Sequence, residues 1–347
     1  MVVRKHGVLV ARVRFPALRQ INFKKIIKNS SPMNINLEIV LFFIGFYILI
    51  KGANFLVDGS SSLARKLNIS SIVIGLVITG IGTSIPEFAI TFIGNLTNKS
   101  DISLGTIIGS NTFNILFILG VSALFFPLTI KKIWVHRDLV WNIIAVFTVV
   151  LLVTINNYRI SRIEGLLMLT IFSIWLYFVI KKETNETEEQ KEWKIVTIPL
   201  SVFMILSGLV GVIVGGNWIV DGASVIAQRL KISDALISLT VVSIGTSLPE
   251  LAVSLVAAYK KRPGLALGNI IGSNIFDFLM ILGFASFIKP ISFSTDLFID
   301  ILITLFSTLL LFISMFVGKQ KYILERWQGF IFILIYIVYL IFLINRG

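Results

Sequence analysis

Apolar runs recur from about residue 36 to the C-terminus, each close to the roughly 20 residues a helix needs to cross a hydrocarbon core. Inside lipid every backbone polar group must be satisfied within the protein, so only helical bundles and closed barrels remain. These runs lack the polar alternation of barrel strands. Only 14% of the 347 residues are charged and 56% are hydrophobic, whereas a soluble domain carries about 25% charged residues. The expected fold is an all-α integral membrane protein with ten transmembrane helices. They are placed near 36–57, 70–94, 104–127, 138–155 and 163–180, then 195–219, 233–258, 267–289, 295–317 and 326–344.

Between the fifth and sixth helices lies KKETNETEEQKEWK, residues 181–194. It reads as a polar linker between a first five-helix repeat, 36–180, and a second, 195–347. A shift of 163 residues aligns Asp58–Gly120 with Asp221–Gly283 without a gap, and 28 of the 63 positions are identical. Unrelated apolar helices would share far fewer, so the halves are duplicates. Five helices separate each element from its copy, and five is odd. A segment entering from one face in the first half therefore enters from the other in the second, which makes the repeats inverted in topology. Such repeats place a shared site near the bilayer midplane.

The charge of +13 does not point to nucleic acid, because the basic residues sit in residues 1–32 and in short loops. That placement suits a lipid bilayer. If residue 36 begins outside, cytoplasmic loops hold fifteen Lys and Arg and outer loops seven, which puts both termini of a multi-pass cell-membrane protein on the outer side. Residues 1–32 carry eight Lys and Arg and no acid, and Met33 follows. This extension, 1–35, reads as a basic arm on the membrane surface, a transit peptide, or sequence translated from too early a start. It matches nothing in the repeat, so the last reading is preferred and it is not expected to join the fold. No cysteine is present, which removes disulfides and thiolate chemistry.

Each half carries GTSxPE inside an apolar run, at 82–87 and 245–250. A carboxylate at that depth costs several kcal/mol (about 2.5–3.5 by insertion scales) and by default marks an ion or proton path. Pro86 and Pro249 cannot donate to the carbonyls of Gly82 and Gly245, so each helix should kink or break and free backbone oxygens. Thr83, Ser84, Thr246 and Ser247 add hydroxyls. A second motif, GSNTFN at 109–114, is echoed by GSNIFD at 272–277. Ser110 and Asn114 share a helical face, as do Ser273 and Asp277, and all four are expected to line the cavity of Glu87 and Glu250. This set offers oxygen without imidazole or thiolate, as a hard cation such as Ca²⁺ requires. Glu87, Glu250 and Asp277 could balance three monovalent cations. One Ca²⁺ would leave a negative charge over, so Asp277 is expected to take up a proton when Ca²⁺ is bound.

Paired GTSxPE and GSNxFN/D blocks resemble the alpha repeats of the Ca²⁺/cation antiporter superfamily, most of all its prokaryotic Na⁺/Ca²⁺ exchangers. The resemblance covers nearly the whole body from about residue 36. It implies secondary antiport of Ca²⁺ against Na⁺ by alternating access, with no cofactor and no enzymatic activity. Carried over by motif position, it implies as ion ligands Glu87, Glu250, Thr83, Ser84, Thr246, Ser247, Ser110, Asn114, Ser273 and Asp277, with carbonyls of Gly80 and Ser243 at peripheral Na⁺ sites. Close relatives are expected to have Ala at these last two positions.

Other residues read more blandly. Asn111 and Asn274 divide between lining the cavity and bonding neighbouring helices, and stay outside the ligand set. Asp58 and Asp221 are placed at helix ends, in turns or in solvent, and Lys51 is placed near a helix end, snorkelling to the interface. The nearest rival is a Ca²⁺/H⁺ or K⁺-dependent antiporter of the same fold. A passive channel would need no counter-ion, and an intramembrane hydrolase would need nucleophile and base within the apolar runs, whereas both histidines lie outside them. No obligate protein partner is evident.

Overall fold

The computed structural model describes residues 35–97, 100–181, 196–229 and 243–346. The basic extension, the polar linker and the start of the expected seventh helix lie outside the described residues. The helices are α1 (Ile35–Lys66), α2 (Ser71–Thr83), α3 (Ile85–Leu96), α4 (100–125), α5 (Lys132–Ile155) and α6 (Arg162–Lys181). In the second half come α7 (Ile198–Arg229), α8 (Ser243–Thr246), α9 (Leu248–Tyr259), α10 (Pro263–Ile288), α11 (Thr295–Ser314) and α12 (Arg326–Arg346). Among the described residues eight helices are long and apolar enough to cross a membrane, and α2 and α3, bent by 47° at a short break, pass the same test of length and composition as a pair.

Local sequence accounts for several boundaries. α6 opens with a capping box, in which Ser161 N–H donates to Glu164 Oε2 at 2.6 Å and Glu164 N–H donates to Ser161 Oγ at 3.4 Å. α12 opens alike, with Glu325 N–H donating to Gln328 Oε1 at 2.8 Å.

Two boundaries differ from expectation. α1 and α7 end at Lys66 and Arg229, not near 57 and 219. Asp58 therefore sits inside a helix and is neither a turn residue nor solvated alone. It meets Lys260 Nζ at 2.8 Å and Arg262 Nη1 at 2.9 Å, in the segment between α9 and α10. That ion pair meets the charge in place, so the helix need not stop. Asp221, inside α7, is exposed. Lys51 likewise stands mid-helix in α1, its ammonium over the Tyr47 ring at 5.6 Å.

The motif helices form the centre. In the apolar stretches of α4 and α10, 78% and 83% of residues are buried, against at most 44% in the other long helices. α2 lies against α10 at backbone distance: a Cβ on Gly268 would stand 2.5 Å from the Ile72 carbonyl, and one on Gly80 2.8 Å from Ser273 N. Only glycine allows that approach.

Contacts recur with the halves exchanged. A Cβ on Gly120 of α4 would meet the Gly329 carbonyl of α12 at 3.0 Å, and one on Gly165 of α6 would meet the Gly283 carbonyl of α10 at 2.7 Å. Two short antiparallel ladders behave the same way. β1 (Leu128–Thr129) pairs with β4 (Ile323–Leu324), and β2 (Arg159–Ile160) pairs with β3 (Ile291–Ser292).

Candidate cation site

Both GTSxPE motifs interrupt their helices at the serine. Ser84 (φ −81°, ψ 9°) separates α2 from α3, and Ser247 (φ −92°, ψ 6°) separates α8 from α9. Pro86 and Pro249 follow in the first turns of α3 and α9, where a missing N–H costs nothing. The same first turns carry Glu87 and Glu250, at helix N-termini whose exposed amides suit a negative charge. The expected break is therefore present in both copies.

Glu87, Glu250 and Asp277 are each only 1% exposed. Glu87 lies within electrostatic reach of both Glu250 and Asp277, with the Thr246 side chain beside it. The carboxylates do not draw together into a cluster of three at metal-binding spacing among the described residues. Hydroxyls and amides stand between them. Ser84 and Ser273 donate to Glu250 Oε1 at 3.5 and 3.4 Å, and the hydroxyls of Thr83 and Ser273 approach to 3.4 Å. The Gly80 carbonyl, at 3.0 Å, is the nearer alternative acceptor for the single Ser273 hydroxyl hydrogen.

Part of the expected set is engaged elsewhere. The Ser110 hydroxyl turns back to the Ile107 carbonyl of its own helix, 3.2 Å away. Asn114 Nδ2 donates to Asn274 Oδ1 at 3.0 Å. Ser243 opens α8, but its side chain is outside the described residues.

Among the described residues several buried oxygens have no hydrogen-bond donor: both of Glu87, Oε2 of Glu250, Oδ1 of Asp277, Oδ1 of Asn114 and Oγ of Ser247. Buried acceptors are rarely left so. Carboxylate, amide and hydroxyl oxygens of this kind are what a hard cation binds.

The sodium/calcium exchanger protein family profile matches residues 37–181 and 200–345. The chain belongs to that family. It is 36% identical over 297 residues to an uncharacterized membrane protein of Methanocaldococcus jannaschii, covering 86% of this chain and 95% of the relative. It is 28% identical over 354 residues to the sodium/calcium exchanger MaX1 of Methanosarcina acetivorans, covering 89% of this chain and 99% of MaX1. The structure of the sodium-calcium exchanger NCX_Mj soaked with 10 mM Na⁺ superposes with a TM-score of 0.77 at 34% identity, over 88% of this chain and 98% of that one. A family member of this kind is a multi-pass membrane antiporter and not an enzyme. Ca²⁺ and Na⁺ are cargo, and no cofactor is involved.

Sequence reasoning left Asn111 and Asn274 open between lining the cavity and bonding neighbouring helices, and it missed Asn269. Asn111 Nδ2 donates to Asp277 Oδ2 at 2.8 Å, and Asn274 accepts from Asn114. Their recurrence in GSN of both halves was the available signal. Asn269 Nδ2 donates to the Glu250 carbonyl at 3.2 Å and to Ser254 Oγ at 3.0 Å, yet its copy in the first half is Thr106, so the repeat gave no sign of it. π-helical turns at Asn114–Ile118 and Phe276–Ile281 were also unexpected. Such turns gather at functional sites.

Proposed function

We propose that the chain is a ten-helix antiporter of two inverted five-helix repeats that exchanges Ca²⁺ for Na⁺ by alternating access at the centre of the molecule. The observation that carries this reading is that Glu87 from the first half lies within electrostatic reach of Glu250 and Asp277 from the second, in a buried region whose free polar atoms among the described residues are mostly oxygens. The exchanged contacts of the two halves support the inverted symmetry, and two pseudo-equivalent arrangements of one site are what alternating access needs. Ion ligands are the oxygens of Glu87, Glu250, Asp277, Asn114, Thr83, Ser84, Thr246, Ser247, Ser110 and Ser273, with carbonyls of Gly80 and Ser243 at the periphery. The excess of basic residues in alternate loops puts both termini outside.

The test is uptake of ⁴⁵Ca²⁺ into proteoliposomes under imposed Na⁺, K⁺ and pH gradients. An outward Na⁺ gradient alone should drive accumulation. Uptake that follows the proton gradient and ignores Na⁺ would replace Na⁺ by H⁺, a requirement for K⁺ would add that ion, and uptake without any counter-ion would mean a channel.

A further inference from the structure

Two edges of the molecule occupy equivalent places in the two halves but are built differently. At the first, where α3 and α10 end, Asn95 Nδ2 donates to the carbonyls of Ala285 and Lys289 at 2.7 and 2.9 Å. Lys289 Nζ returns bonds to the carbonyls of Asn95 and Leu96 at 2.8 and 3.3 Å. That edge is filled and its helix ends are satisfied. At the second edge, where α4 and α9 end, the equivalents of Asn95 and Lys289 are Ala258 and Phe126. Neither can bridge helix ends, and the place is a cavity of about 420 Å³.

The cavity has a definite chemistry. Phe125, Phe126, Ala258 and Pro263 line its apolar wall, and Lys261 and Arg326 bring positive charge; no acidic residue lines it. Neighbouring Lys260 and Arg262 are held by Asp58, whereas Lys261 and Arg326 are exposed and have no carboxylate partner among the described residues. Glu325 is turned away, bonded to the indole of Trp327 and the amides of Lys319 and Gln320. Lys261 stands in the left-handed region at φ 57°, a conformation uncommon for lysine, and the equivalent residue in the first half is Asn98. α10 and α12 both begin at the rim, with Pro263 and Arg326 as first residues, so two helix N-termini add to the positive potential. Phe125 (60% exposed) and Tyr259 (69%) flank the opening with aromatic surface, as at a membrane interface.

Cations at the starts of membrane-length helices, beside exposed aromatic rings, match one occupant. We propose that this cavity binds the phosphodiester headgroup of an anionic phospholipid, held by Lys261 and Arg326, with the acyl chains running over Phe125 and Tyr259. The proposal concerns an edge of the membrane protein apart from the cation site, and it stands whichever ion is the coupling ion.

Native mass spectrometry of the full chain, released from detergent with phosphatidylglycerol or phosphatidylcholine, tests it. One phosphatidylglycerol should be retained in preference to phosphatidylcholine. The double variant Lys261→Ala/Arg326→Ala should weaken that retention about thirtyfold, each basic residue near an anionic headgroup being worth about fivefold. Ala258→Leu, which fills the cavity and keeps both charges, should weaken it too, while Lys319→Ala/Lys321→Ala should leave it unchanged. Equal retention of the two lipids, wild-type retention by the double variant or by Ala258→Leu, or an equal loss in the Lys319/Lys321 control would overturn the proposal. So would displacement of phosphatidylglycerol by an equal concentration of inorganic phosphate, which would mark a free-anion site instead.

Discussion

Asn111 faces Asp277 across the molecular centre, and Asn274 faces Asn114. These are one contact seen twice, since the repeat equates Asn111 with Asn274 and Asn114 with Asp277. In the first pair Asn111 Nδ2 must donate, because a carboxylate only accepts; in the second, Asn114 supplies the N–H. Among the described residues Asp277 and Asn114 each keep Oδ1 free of hydrogen bonds. At this position the two halves thus offer the same free Oδ1 but differ by one negative charge. Coordination and charge are set separately, and a single position sets the charge.

The largest effect should come from the part the halves share. Glu87→Gln or Glu250→Gln removes a charge common to both copies, and Na⁺-driven ⁴⁵Ca²⁺ uptake should fall to the level of empty vesicles for either. Strong uptake by one of the two would show that the copies are not equivalent in function. A smaller and more selective effect is expected where the copies differ. Asp277→Asn makes both cross-centre pairs amide to amide, leaving two carboxylates to balance one Ca²⁺. Ca²⁺ binding, read by isothermal titration, should survive, while the dependence of exchange on Na⁺ becomes less steep because one monovalent cation loses its countercharge. Loss of Ca²⁺ binding in that variant would refute the charge accounting.

Much of this arrangement was legible in the sequence, because duplication fixes equivalences that single motifs cannot. The breaks at Ser84 and Ser247 followed from Pro86 and Pro249, whose missing N–H has a local effect that tertiary packing does not reverse. What the sequence hid depended on partners distant along the chain. Asp58 looked like a helix end until Lys260 and Arg262 supplied its countercharge from about 200 residues away. Asn269 gave no repeat signal, and the π-helical turns after Asn114 and Phe276 have no composition that separates them from α-helix. Ser110 shares a face with Asn114, but a serine in a helix can bond its own preceding turn, and that is where its hydroxyl goes.

Packing offers a third contrast at an identical pair. Gly105 and Gly268 are equivalent in the repeat; among the described residues a Cβ on Gly105 would meet only Leu297 Cδ2 at 3.9 Å, whereas one on Gly268 would stand 2.5 Å from the Ile72 carbonyl and 3.0 Å from Gly75 Cα. Gly268→Ala must push α2 from α10 and should cost about 1–3 kcal/mol, seen as a lower thermal midpoint in detergent. Gly105→Ala should stay within about 0.5 kcal/mol of the parent. Equal losses would mean that the two glycines serve the same close approach.

The smallest difference is expected at Asp58 and Asp221, again equivalent in the repeat. Asp58 holds Lys260 and Arg262, and its own side chain is 40% exposed; Asp221 is exposed in α7. Half-exposed ion pairs are worth little, and Arg262 keeps its bond to the Val57 carbonyl at 2.9 Å when the carboxylate is gone. Asp58→Asn should therefore lower stability by only about 1 kcal/mol, and Asp221→Asn by less than about 0.5 kcal/mol. Molar salt should narrow the gap between the two variants, because screening reaches the exposed part of the Asp58 cluster. An Asp58→Asn loss several times larger and indifferent to salt would mean that the carboxylate is the sole countercharge of a dehydrated Arg262, and that this pair, more than glycine packing, fastens α1 to the segment between α9 and α10.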